Sequence, residues 1–283
     1  MTRIVADTLC GLSLQAAHDL GIPMISQVIN FGEDSFREGV EMDHAAFMAR
    51  LRTGRELPKT AAPYPGDFIA AFEDLVKQGE SIVCVHPSAD VSGTVRSALT
   101  AKESFPDADI RVIDTRTIAG PLASIVLEAD RVAKRGASAD DVEAVVREMM
   151  PRARIYFLVD TLDYLRRGGR IGGAAALVGS ILQIKPILTF ADGQVQPFEK
   201  ERTKKRALVR LHEVVAAEAA RGADAHLTVM HSAVPDEATA LAVEFQAALG
   251  LEDVLIMDLV PAIVTHAGPG ALAVGFFTPP TRK

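Results

Sequence analysis

The sequence predicts two α/β domains, an N-terminal one with a mainly parallel sheet and flanking helices, and a C-terminal one with a mixed or antiparallel sheet and helices. Three observations predict this. Short apolar runs alternate with helical patterns through the first half, as right-handed crossovers onto a parallel sheet require. Pro151 then interrupts the chain after two consecutive helical stretches. Beyond it, Asp192-Gly193 lies between two strand-like runs, a strong hairpin signal and so a sign of antiparallel pairing. The expected domains are 1–150, with a small flap near 31–54, and 151–283. At 283 residues the chain is long enough to bury two cores.

The elements follow in order. Residues 4–6 read as a short buried strand that ends in Asp7-Thr8. Ser13 is placed to cap a helix running to Leu20, and Gly21 to stop it. Residues 24–31 alternate and are rich in β-branched types, so they read as one strand. Residues 31–40 form a polar turn region or small hairpin flap. A helix over 43–51 starts at the Asp43 cap, and a proline-rich loop covers 54–66. Helix 67–77, strand 81–86, helix 92–105, strand 110–113 and helices 121–135 and 140–150 complete the first half. In the second half, 155–159 reads as a strand and 161–167 as a short helix capped by Thr161. Residues 184–190 and 194–198 flank the hairpin turn, and 203–220 form an amphipathic helix. Strand 227–231, helix 237–249 and strands 254–258 and 262–265 close the reading.

Composition narrows the function. With 48% hydrophobic and 24% charged residues the chain is a globular, soluble type and not a disordered one. A net charge of −7 argues against a nucleic-acid surface. Cys10 and Cys84 alone make no disulfide framework, which points to a reducing cytoplasm. No basic leader with an apolar core opens the chain. The most apolar window, 174–190, contains Gln183, Lys185 and Pro186, so no membrane span is expected. No phosphate loop, G-x-S-x-G elbow, H-E-x-x-H or C-x-x-C spacing occurs, so neither a cofactor nor a metal is expected. Gly268-Pro-Gly-Ala-Leu-Ala273 imitates a dinucleotide fingerprint, but too near the C-terminus for an acidic ribose contact about 20 residues on.

Several segments carry chemistry. Ligands of open parallel sheets sit at the C-terminal ends of the strands, where Asp7-Thr8, the loop after His86 and Asp114-Thr115 converge. Ser92-Gly93-Thr94 opens a helix there, and its N–H groups suit an anion. The Ser92 hydroxyl either caps that helix or donates to a ligand. Thr60, between prolines, is either a turn hydroxyl or a ligand contact. Asp7 and Asp114 read as acceptors for neighbouring turns. In Asp163-Tyr-Leu-Arg-Arg-Gly-Gly-Arg-Ile-Gly-Gly173, glycines allow close backbone approach and arginines grip carboxylates or phosphates, so the run is either a backbone wall beside an anion or a helix with a basic last turn. Arg170 is placed to meet an anion or a carboxylate at a domain interface. His266 precedes the close-approach loop Gly268-Pro-Gly270 and reads as a structural or a ligand-site group. Arg166, Arg167 and Arg170, with the basic run 200–206, form either a solvated face or a docking patch.

The run 162–188, through Gln183-Ile-Lys-Pro-Ile-Leu188, resembles the signature region of the DegV family of bacterial fatty-acid-binding proteins. Further pieces appear in that family's order: Ile4-Val-Ala-Asp-Thr8, Pro58-Lys-Thr60 with Pro63, Ser88-Ala-Asp-Val-Ser-Gly-Thr94, Val112-Ile-Asp-Thr115 and Thr265-His-Ala-Gly-Pro-Gly-Ala271. The resemblance spans nearly the whole chain. It implies a long-chain fatty acid in a buried tunnel between two domains, no catalysis by the chain itself, and a separate kinase subunit that converts the carboxylate to an acyl-phosphate for phospholipid synthesis. The implied ligand residues are Thr60, Ser92, Gly93, Thr94, Arg170, His266 and Gly268, and the basic docking surface includes Arg202 and Lys205. Three positions depart from the family pattern: Ala61 and Ala62 follow the loop threonine, where a serine is usual first, and Pro87 replaces the first serine of the usual pair. Two other functions fit the same residues: a lipid-sensing regulator without a kinase, and a serine-dependent acyl hydrolase or transferase with Ser92 as nucleophile and His266 as base.

Overall fold

The computed structural model describes residues 1–54, 57–179 and 184–280. Gln183 of the signature stretch and residues 55–56 of the proline-rich loop lie outside the described residues. The chain divides into two compact units, Met1–Pro151 with Val260–Ala262, and Arg152–Leu259 with Ile263–Lys283.

The first unit is built on four parallel strands, β1 (Thr2–Asp7), β2 (Met24–Ile25), β3 (Ser81–His86) and β4 (Ile110–Asp114), in the order β2-β1-β3-β4. Successive side chains of a strand point to opposite faces. Val5, Ile82 and Cys84 accordingly enter one core with Phe68, Phe72 and Leu75 of α1 (Pro65–Lys77) and Ala98 and Ala101 of α2 (Thr94–Lys102). Helices α3 (Ala119–Lys134) and α4 (Ala139–Met149) pack together and against β1 and β3, burying Leu122, Ile125, Val126, Val142 and Val146. A helix of seven residues, Leu14–Leu20, is capped by Ser13, which accepts the Ala16 N–H, and ends at Gly21 in the left-handed region.

The sequence reading of 24–31 as one strand is corrected here. The run breaks after Ile25, and Val28–Phe31 leaves the parallel sheet to form a three-stranded antiparallel sheet with Asp34–Arg37 and Lys59–Ala61. Gln27, between the two pieces, is only 2% exposed. The proline-rich loop is likewise partly strand, with Thr60 opposite Ile29.

The second unit carries a six-stranded mixed sheet. Its strands are β5 (Ala153–Leu158), β6 (Lys185–Ala191), β7 (Gln194–Glu201), β8 (Thr228–His231), β9 (Leu255–Asp258) and β10 (Leu272–Phe277), in the order β7-β6-β5-β10-β8-β9. Asp192 and Gly193 both take positive φ, 51° and 78°, as the tight turn joining β6 to β7 requires. Helices α5 (Lys204–Glu218), capped by Thr203, and α6 (Pro235–Leu249) pack on the sheet through Leu211, Val215, Leu241 and Phe245. Two expectations fail. Residues 262–265 lie in a helix, α7 (Pro261–Ala267), and not in a strand. β10 is absent from the sequence reading, although all six of its residues are buried and it pairs with both β5 and β8.

Candidate functional site

The ends of the parallel strands carry a buried polar network. Asp7 closes β1, and its Oδ1 accepts the Leu9 N–H at 3.0 Å, turning the chain out of the sheet. Its Oδ2 lies 2.8 Å from His86 Nδ1 at the end of β3. Gln27 Nε2 donates to Asp7 Oδ1 at 3.0 Å and to Thr94 Oγ1 at 2.9 Å. Thr94 Oγ1 lies 2.8 Å from Ser92 Oγ, and the Thr94 N–H donates to the same Ser92 oxygen at 3.3 Å. Asp7, His86 and Thr94 are fully buried, whereas Ser92 and Gly93 are half-buried. Ser92 is therefore the member of this chain that reaches toward the surface. Asp114 acts as the turn acceptor read from the sequence, taking the N–H groups of Ala89 and Arg116.

A second arm leaves Gln27. Its backbone N–H donates to Thr8 Oγ1 at 3.1 Å, Thr8 donates to Glu38 Oε2, and Glu38 Oε1 accepts the Ala262 N–H at 2.7 Å. Burial pushes the Glu38 carboxyl up from its ordinary 4.5 to about 7, against the opposing pull of Thr8 and of the Ala262 N–H, with the nearby Asp7 adding to the rise.

Thr60 is half-buried on its strand beside this network. The two hydroxyl-bearing segments adjoin at Gly93, where a Cβ would stand 3.1 Å from that of Ala62. Thr60, Ser92, Gly93 and Thr94 thus gather in the first unit, with Thr94 set behind Ser92.

The other expected residues gather in the second unit. The short helix Asp163–Arg167 ends at Gly168-Gly169, and Arg170 folds back so that its Nη1 donates to the Gly168 carbonyl at 2.8 Å. A Cβ on Gly168 would run into the His266 imidazole. One on Gly268, whose φ is +78°, would run into the Tyr164 ring, and one on Gly270 into the Asp160 carboxylate. These glycines let the turn and the C-terminal loop approach each other closely. Burial first, and then the charge of Arg170, lower the His266 imidazole from 6.5 to about 4, so it is neutral near pH 7. Arg202 and Lys205 are exposed and make no ion pair among the described residues, whereas Lys204 pairs with Glu237 and Arg206 with Glu201.

Sequence reasoning missed Gln27, Glu38 and the His86 contact. A glutamine inside an otherwise alternating apolar run was the available signal for the first. Among the described residues there is no cluster of His, Cys, Asp or Glu able to hold a metal ion, and no helix long and apolar enough to cross a membrane.

Together these features define a two-unit α/β protein with a hydroxyl-bearing turn over the ends of a parallel sheet and a glycine-built loop around a neutral histidine. The sequence model of the DegV family, described as "Uncharacterised protein, DegV family", matches residues 1–279, and the chain belongs to that family. A DegV domain-containing protein of Halalkalibacterium halodurans is 36% identical over 98% of this chain and 99% of its own. Among solved structures, the fold is similar to that of a DegV family protein from Thermus thermophilus, described by its fatty acid binding (TM-score 0.89, 28% identity, 98% of this chain and 99% of that one). It is also similar to DegV, a fatty acid binding protein from Bacillus subtilis (TM-score 0.88, 30% identity, the same coverage).

Proposed function

We propose that this protein binds a long-chain fatty acid and, without chemistry of its own, presents the carboxylate to a separate kinase subunit that makes an acyl-phosphate in the cytoplasm. The observation that carries this reading is the Ser92 turn. A half-buried hydroxyl at the start of a helix, backed by a buried polar network and adjoining the Thr60 strand, offers donors to an anion. The relatives from T. thermophilus and B. subtilis, with which this chain shares its fold over almost its full length, bind fatty acids. An acyl tail gains on the order of 0.8 kcal/mol per buried CH₂, and its carboxylate needs hydrogen-bond donors to stay charged out of water. The kinase partnership draws support from Arg202 and Lys205, exposed cations left outside the local ion pairs.

The hydrolase reading is weaker on the same geometry. A histidine held at about 4 is a poor acceptor for a serine proton near pH 7, and the hydrogen bonds of Ser92 run to Thr94. Native mass spectrometry of freshly purified protein tests the proposal. One fatty acid per chain is expected; protein that is lipid-free and takes up no added palmitate would overturn it.

A further inference from the structure

The Ser92 hydroxyl has one proton to give, and what lies behind it decides which way that proton points. We infer that Gln27 is a positioning residue which, through Thr94, turns the Ser92 O–H outward as an obligate donor and so selects a carboxylate over an uncharged head group. The inference rests on the fatty-acid reading above.

The donors and acceptors of each group fix the direction of the chain. Asp7 Oδ1 already accepts the Leu9 N–H, so the Gln27 atom 3.0 Å from it is the amide nitrogen, a donor, and not the amide oxygen. The second proton of that nitrogen meets Thr94 Oγ1 at 2.9 Å. Thr94 Oγ1 therefore accepts from Gln27, and among the described residues its own proton meets no acceptor other than Ser92 Oγ, 2.8 Å away, so Thr94 donates and Ser92 accepts. Ser92 Oγ also takes the Thr94 N–H at 3.3 Å. Both lone pairs of the serine oxygen are then in use, and its proton faces away from the network. An ionised carboxylate accepts only, which matches such a donor. An alcohol can donate or accept, and gains nothing from a fixed direction. Gln27 is held for the task by its backbone, whose N–H donates to Thr8 Oγ1 and whose carbonyl accepts the Glu38 N–H at 2.9 Å. The relay runs through direct contacts of 2.9 and 2.8 Å, and Gln27 and Thr94 are almost wholly buried.

The test is a thermodynamic cycle on the full chain, with a fluorescent fatty-acid probe displaced by palmitate or by 1-hexadecanol. Gln27→Met keeps the length of the side chain and removes its donors. It should weaken palmitate about tenfold, the scale of one charge-assisted hydrogen bond, and leave hexadecanol within about twofold. In a Ser92→Ala background the same change should cost palmitate nothing further. Thr94→Val, which cuts the relay without touching Asp7, should repeat the pattern and serves if Gln27→Met does not fold. Equal losses for both ligands, or losses that add in the double variant, would overturn the relay. Failure of the unsubstituted protein to bind palmitate would instead overturn the fatty-acid reading; normal binding that Ser92→Ala weakens and neither relay variant touches would overturn this inference alone.

Discussion

The two units place their candidate groups by different means. In the first, side chains hold side chains: Asp7, Gln27, Thr94 and Ser92 form a buried chain of hydrogen bonds, each member fixed by its neighbour. In the second, backbone makes room: Gly168 and Gly268 let main chain come against His266 and Tyr164, where any Cβ would collide. The first arrangement is vulnerable to isosteric changes that alter donors and acceptors. The second tolerates no added volume, whatever its polarity.

The sharpest way to break this contrast is to add a methyl group on each side. Gly268→Ala combines a φ of +78° with a clash on the Tyr164 ring, so it should destabilise the protein by about 3 kcal/mol. Gly93→Ala has ordinary φ, −78°, and a contact at 3.1 Å that a small shift relieves, so about 1 kcal/mol is expected. Urea denaturation of both variants measures the difference. Equal losses would show that the glycine loop is no tighter than the hydroxyl turn.

The polar side responds to a change of charge at Glu38. The folded-state value of Glu38, about 7, lies above its ordinary 4.5. Its contribution to stability is therefore complete below about pH 4.5 and is lost as pH rises through 7, by up to about 3 kcal/mol for a shift of this size. Glu38→Gln imitates the protonated acid and should flatten that fall. Denaturation midpoints for both proteins at pH 5 and pH 8 give the answer, and an unchanged pH difference would place the burial penalty elsewhere.

The same contrast explains what the sequence made legible. Glycine runs, caps and the Asp192-Gly193 turn act over a few residues, so Gly21, Ser13 and the hairpin were readable in place. The polar network joins residues far apart in the chain, Asp7 to His86 and Gln27 to Thr94, across separations of 79 and 67 residues. No local pattern records such partners. β10 escaped because a strand covered on both faces shows no alternation. Residues 262–265 have β-branched character, yet Pro261 starts a helix and burial holds it there. The hydroxyl turn and the glycine loop were visible as positions, while the groups that orient them were not.

Within the first unit, the hydroxyls themselves are the next target. If Ser92 and Thr60 hold the carboxylate as proposed, Ser92→Ala and Thr60→Val each remove one donor and should weaken palmitate about tenfold, with the fold intact. Isothermal titration with palmitate measures this, and unchanged affinity in both variants would put the carboxylate elsewhere.

The smallest effect on binding is expected at the surface of the second unit. Arg202 and Lys205 are exposed, and their neighbours Lys204 and Arg206 are held by Glu237 and Glu201. Exposed charges at the rim of an interface act mainly on encounter rate and its salt dependence, because water and ions screen them beyond about 8 Å at physiological salt. Reversing both to glutamate should slow phosphorylation of bound palmitate by a partner kinase and flatten its dependence on salt, while palmitate affinity stays within about twofold. On the proposed function, a half-buried donor lost from the Ser92 turn is expected to lower affinity, whereas a surface charge lost here is expected to lower only the rate of meeting. If the reversed protein instead binds palmitate poorly and its loaded fraction is phosphorylated at the normal rate, these two residues serve binding or folding, and the docking role is wrong.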